Sequence, residues 1–89
     1  MKAIITVVGN DKVGIIAKVS DILAKNNINI LDISQTIMQN MFTMIMLVDV
    51  SKASVNFNEV SKILDELGKS LDLSIKIQHE NIFNSMHRI

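Results

Sequence analysis

Two stretches of this chain are apolar at nearly every position rather than at alternate ones: Ala3-Ile4-Ile5-Thr6-Val7-Val8 and Phe42-Thr43-Met44-Ile45-Met46-Leu47-Val48. A strand with one wet face alternates apolar and polar side chains. Runs of this kind therefore belong in the middle of a sheet, with both faces covered. Both are far too short to span a bilayer. The sheet has to be built around these two strands, and every other element must lie at an edge or on a face.

The remaining patterns supply those elements. Ile15, Ile16, Val19, Ile22 and Leu23 recur at helical spacing, with Lys18, Asp21 and Lys25 on the other side. This predicts an amphipathic helix over 13–26, with Asp11 as N-cap and Asn26-Asn27 as its stop. Strands follow over 29–39 and 41–50, joined by a hairpin turn near Asn40. Asn56-Phe57-Asn58-Glu59 has the spacing of a capping box, Asn56 being the cap. The helix behind it carries Phe57, Val60, Ile63, Leu64 and Leu67 on one stripe and is expected to end near Gly68 to Ser70. Leu71, Leu73, Ile75 and Ile77 alternate with Asp72, Ser74, Lys76 and Gln78, the pattern of a half-buried strand. Ile82, Phe83 and Met86 predict a short amphipathic helix in the tail from Glu80 to His87.

Strand, helix, strand, strand, helix, strand is the split βαβ order of a ferredoxin-like α+β fold. Right-handed crossovers place both helices on one face of a four-stranded antiparallel sheet of order 4-1-3-2. The first and third strands fall in the centre, where the two apolar runs need them. Helices on one face leave the other face of those strands exposing Met and Ile. An exposed patch of that sort marks an interface, so a homodimer at least is expected, unless the tail covers it.

Composition narrows the function classes. An 89-residue chain is one small domain, and Lys+Arg 9 against Asp+Glu 9 gives no net charge. That balance gives no electrostatic footprint for nucleic acid or an anionic membrane. An RNA-binding sheet would also need exposed strand aromatics, and Phe42 is the one aromatic in a strand. With no cysteine there is no disulfide, thiolate metal site or thiol nucleophile. The first apolar run is too short for a signal peptide, which leaves the cytoplasm as the default location. No serine–histidine motif, patterned carboxylate pair or P-loop is present, so no catalytic residue and no cofactor is expected. His79 and His87 lie roughly 12 Å apart along a helix, too far to chelate one ion. Met38, Met41, Met44 and Met46 read as packing rather than as copper ligands.

The stretch with the most chemistry is the turn Gly9-Asn10-Asp11-Lys12-Val13-Gly14-Ile15, which leads from the first strand into the first helix. A helix start presents unpaired N–H groups at the positive end of a dipole, where a small anion can sit. Gly14, expected inside the first helical turn, costs about 1 kcal/mol against Ala there. Its missing side chain would let a ligand approach. The same residues serve equally as a tight turn with a capped helix. Asn29, at the start of the second strand, is either a turn residue or a side-chain amide that reaches a ligand at a subunit boundary. Asp32, Ser34 and Thr36 form one polar set on that strand.

The strand order, the loop Gly9 to Ile15 and Asn29-Ile30 after the first helix resemble a stand-alone ACT domain over essentially the whole chain, residues 1–89. Ile33-Ser34-Gln35-Thr36 and the ending Met86-His87-Arg88-Ile89 are similar to a group of small single-ACT proteins of prokaryotes. Those in turn resemble the ACT halves of the glycine-cleavage transcriptional repressor. The resemblance implies a non-enzymatic regulatory module that binds a small amino acid at a homodimer or higher homo-oligomer interface and signals to a regulated partner protein. By analogy with serine-inhibited phosphoglycerate dehydrogenases, the ligand site would comprise Asn10, Asp11, Val13, Gly14 and Ile15 of one subunit with Asn29 of the other. The N–H groups of Val13 to Ile15 would hold the carboxylate. Serine-binding modules carry asparagine where this chain has Asp11 and proline where it has Val13. A carboxylate at position 11 repels the ligand's carboxylate and favours its ammonium, unless Asp11 only caps the helix. The alternative reading is a ligand-free oligomerisation or interaction protein on the same fold. An acylphosphatase-like enzyme would need an arginine in the loop, which offers only Lys12.

Overall fold

The computed structural model describes residues 1–10 and 13–81. Its elements run β1 (Lys2–Asn10), α1 (Ile15–Lys25), β2 (Asn29–Met38), β3 (Met41–Asp49), α2 (Phe57–Leu71) and β4 (Leu73–His79). The four strands form one antiparallel sheet in the order β2-β3-β1-β4, the arrangement expected from the sequence. The long apolar runs occupy its two central strands. Of the predicted tail helix, Glu80 and Asn81 are helical, and residues 82–87 lie outside the described residues.

The β2–β3 connection is a two-residue hairpin. Gln39 and Asn40 both take positive φ, 51° and 68°, between the paired residues Met38 and Met41. Positive φ at both central positions lets so short a turn match the right-handed twist of its strands. Asn56 caps α2, its side-chain oxygen accepting from the Glu59 N–H at 2.9 Å. At the end of α1, Asn26 is the C-cap and Asn27 is left-handed at φ 59°, so the predicted stop is where the helix stops.

Several boundaries differ from expectation. α1 begins at Ile15 rather than Val13, with Gly14 as its N-cap. The cap position assigned from sequence to Asp11 is therefore filled by another residue, and Asp11 itself lies outside the described residues. α2 continues through Gly68 to Leu71, so Leu71 is helical and the last strand starts two residues later. Gly68 is buried, and a Cβ there would lie 2.7 Å from the Leu73 carbonyl oxygen. It is the place where α2 and the returning strand come together, not a helix terminator. The reversal is made by Asp72, at φ 57°.

One face of the sheet packs on the helices. Ala3, Ile5 and Val7 of β1, Phe42, Met44, Met46 and Val48 of β3, and Leu73, Ile75 and Ile77 of β4 join Ile15, Val19, Leu23, Val60 and Leu64 in a single core. Met44 and Met46 are fully buried there. On the uncovered face the exposed methionine of β3 is therefore Met41, at 46%, with Ile45 also exposed there at 39%, rather than Met44 or Met46. That face carries the other set, Ile4 opposite Leu47, Thr6 opposite Ile45 and Val8 opposite Thr43. Period-two alternation puts Met44 and Ile45 on opposite faces, whatever their similar hydrophobicity.

Further apolar exposure lies along β2. Its register opposite Met46 and Phe42 places Ile33 and Ile37 on the helix side of the sheet, yet they remain 39% and 56% exposed. Ile16 of α1 is also exposed. β2 is an edge strand that no other strand pairs on its outer side, and the Ile33 N–H is bonded to Asp32 Oδ1 at 2.9 Å. No described helix is long and apolar enough to cross a membrane.

Candidate functional site

The two halves of the site expected from sequence lie at opposite ends of α1. At its N-terminal end, Gly14 takes φ 88° and ψ 5°, and among the described residues no side chain caps the helix. A left-handed backbone costs a residue with a Cβ about 1–2 kcal/mol. A Cβ at Gly14 would meet nothing within 4 Å. Glycine is therefore required here by the dihedral angle, not by a close neighbour, which corrects the sequence argument for a residue inside the first turn. The Gly14 carbonyl accepts the first helical bond from the Lys18 N–H at 3.0 Å. The N–H groups that precede it in the first turn have no carbonyl inside the helix to pair with. No acidic side chain lies in that turn.

These groups border a cleft of about 200 Å³ walled by Gly14, Ile15, Ile16 and Ala17 on one side and by Gln35, Ile37 and Phe42 on the other. The Ile15 side chain is buried in the core, so only its backbone faces outward. Val13 is fully exposed, and Asn10 closes β1 opposite Met41 and is also exposed. Gln35 and Ile37 were not singled out from the sequence. Their period-two position on the β2 edge, level with the start of α1, was the available signal.

Asn29 lies at the other end of α1, whose 11 residues span about 16 Å at 1.5 Å per residue. It therefore does not meet Gly14 within one chain. It borders a larger cleft, of about 360 Å³, together with Ala24, Asn27 and Ile28, facing Asp49, Ser51 and Lys52 across the opening. The walls are fastened by short polar bonds. The Asn27 side-chain amide donates to the Lys52 carbonyl at 2.9 Å, and the Ser54 N–H donates to the Asn26 carbonyl at 2.8 Å. Asp49 Oδ1 accepts from the Ser51 N–H at 2.9 Å and from the Ser51 hydroxyl at 2.7 Å. The Met1 ammonium lies 3.5 Å from the same oxygen. The Ser51 backbone N–H, then its hydroxyl, hold the Asp49 carboxyl down to about 2 from an ordinary 3.8.

Among the described residues, no group of three or more His, Cys, Asp or Glu could hold a metal ion. His79 stacks on Phe57, ring centroids 4.0 Å apart, at the far edge of the sheet from either β2 cleft.

Comparison with known proteins places this architecture in context. Residues 2–78 match the family model described as an ACT domain. The chain is 68% identical to a UPF0237 protein of Clostridium acetobutylicum, over 100% of both chains. Its fold superposes on an ACT domain protein from Streptococcus pneumoniae with TM-score 0.81 and 44% identity, covering 93% of each. It is also similar to a putative glycine cleavage system transcriptional repressor, with TM-score 0.76 and 28% identity over 86% of this chain and 44% of that one.

Proposed function

Because the chain belongs to the ACT domain family, we propose that it is a non-enzymatic regulatory module that binds a small amino acid between two copies of itself and signals to a partner protein in amino-acid metabolism. The observation that carries this reading is the glycine-turned start of α1, which opens into a cleft whose opposite wall is the edge strand β2. A carboxylate suits the helix start. The edge strand supplies a second subunit.

An antiparallel two-fold pairing of β2 with its copy, centred on Ile33, brings the Asn29 end of the partner subunit's strand alongside Ile37. Ile37 walls the Gly14 cleft. The same pairing covers Ile33 and Ile37, the apolar side chains that α1 leaves exposed. Residues Asn10, Asp11, Val13, Gly14 and Ile15 then form the loop side of the site. Asn29 comes from the other subunit, which accounts for its distance from Gly14 within one chain.

A thermal-shift series with the twenty protein amino acids at millimolar concentration, run beside sedimentation velocity, tests the reading. A ligand that binds only the folded state at one hundred times its Kd stabilises by about 2.7 kcal/mol. At least one amino acid is expected to raise the Tm of a dimer. A folded dimer indifferent to all twenty would instead support a ligand-free oligomerisation protein, the reading that the exposed β2 edge alone favours.

A further inference from the structure

We infer that the chain's own C-terminal segment, residues 82–89, docks on the uncovered face of the sheet across Ile4 and Leu47 and closes that end of the face within each subunit. The inference stands apart from the amino-acid reading, because it assigns the occupant of a different surface.

Exposure on the uncovered face is graded. The Ile4 side chain points away from the helices and is no part of the helix-packed core, yet it is only 9% exposed. Its neighbours in the same row, Leu47 of β3 and Gln78 of β4, are half-buried. Farther along the same face, Ile45, Met41 and Met38 are exposed. Burial is therefore local to the end of the sheet where β1 starts and β4 finishes.

That end is where the chain leaves the sheet. β4 stops at His79, opposite Ala3 and one residue past the Gln78–Ile4 pair. Glu80 and Asn81 are helical, and Asn81 is exposed. A helix continued from there puts Asn84 and Arg88 on the side of Asn81. Phe83 and Met86 fall on the opposite side, with Ile82 and Ile89 beside them. The segment thus has an apolar stripe to bury and a polar side to leave in water.

Its length fits the local burial. Eight helical residues span about 12 Å, and crossing from β4 over β1 to β3 takes about 10 Å at the usual strand spacing. Met41 lies six residues along β3 from Leu47, about 20 Å away, so the segment cannot cover it. A second copy laid face to face explains less, because Ile4 is buried within a single chain.

Methyl NMR on the full-length protein tests the inference. The Phe83 ring is expected to show nuclear Overhauser contacts to the Ile4 and Leu47 methyl groups and none to Met41. A mixture of isotope-labelled and unlabelled chains should show no such contact between different chains. Phe83→Asp should move the Ile4 and Leu47 methyl resonances and lower the Tm, whereas Asn84→Asp should do neither. Absence of the Phe83 contacts in wild type overturns the inference, even if Phe83→Asp fails to fold. Contacts found only between different chains overturn it by giving this surface to the segment of a second copy. Equal effects of the two substitutions would show that the apolar stripe does not face the sheet.

Discussion

Asn29 and Asp49 face each other across the β2–β3 hairpin because of a bulge at Leu31. From Met38↔Met41 to Asp32↔Leu47 the ladder is regular, but Ile30 then pairs with Val48 and Asn29 with Asp49. Continued without a break, that register would set Asn29 opposite Val50. One extra residue in β2 therefore puts an amide beside a carboxylate. Bulges recur where a strand has to re-aim a side chain.

Met44 and Met46 separate a core role from an interface role. Both are fully buried under the helices, so Met44→Ala should cost about 2–5 kcal/mol of subunit stability. The change should appear as a lower Tm in scanning calorimetry at every protein concentration. A variant of unchanged Tm that merely dissociates would contradict the burial.

Ile37→Lys should do the opposite. The side chain is 56% exposed in one subunit, and exposed substitutions usually change stability by no more than about 0.5 kcal/mol. The monomer should remain folded by circular dichroism. Sedimentation should show a shift from dimer to monomer, and an unaltered dimer would rule out pairing through β2.

Gly14→Ala should destabilise the chain by about 1–2 kcal/mol through backbone conformation alone, because its Cβ would have open space. Asparagine tolerates left-handed φ better than alanine. Gly14→Asn should therefore recover part of the loss in chemical denaturation. Equal losses in both variants would show that something other than φ selects glycine here.

Asp49 gives a signed pH dependence. Its folded pKa, about 2, lies below the ordinary 3.8. The stabilisation it provides is complete above about pH 4–5 and is lost as pH falls toward 2. Asp49→Asn should lower stability above about pH 4–5 and converge with wild type as pH falls toward 2, giving a flatter curve over that window. If wild type and variant lose stability in parallel between pH 4 and 2, the Ser51 bonds do not favour the ionised form.

The sequence was most legible where a pattern repeats. Two doubly apolar runs placed the central strands, and the capping spacing at Asn56 and the turn at Asn40 located their elements. Legibility failed where a single residue decides. Hydrophobicity could not tell that Gly68 lies within α2, because what matters is the Leu73 carbonyl approaching from another element. It could not place Met44 and Met46 on the covered face, because a fully apolar strand has no visible phase. Asp49 and Ser51 went unrecognised for a related reason. Their position beside Asn29 depends on the Leu31 bulge, and an isolated leucine in an apolar strand carries no mark of one. Gly14 was recognised as the key residue of its loop, but for the wrong physical reason.

The free edge of β2 has a consequence for how such a protein behaves in a cell. A subunit alone keeps a ten-residue strand that no other strand pairs on its outer side, and pairing with a copy is second order in subunits. Abundance itself then becomes an input. If β2 pairs with its copy as proposed, the folded monomer would predominate at low copy number with its edge open to any compatible strand, and the population would close on itself at higher copy number. Expression level, not only metabolite level, would set how much of the protein can respond.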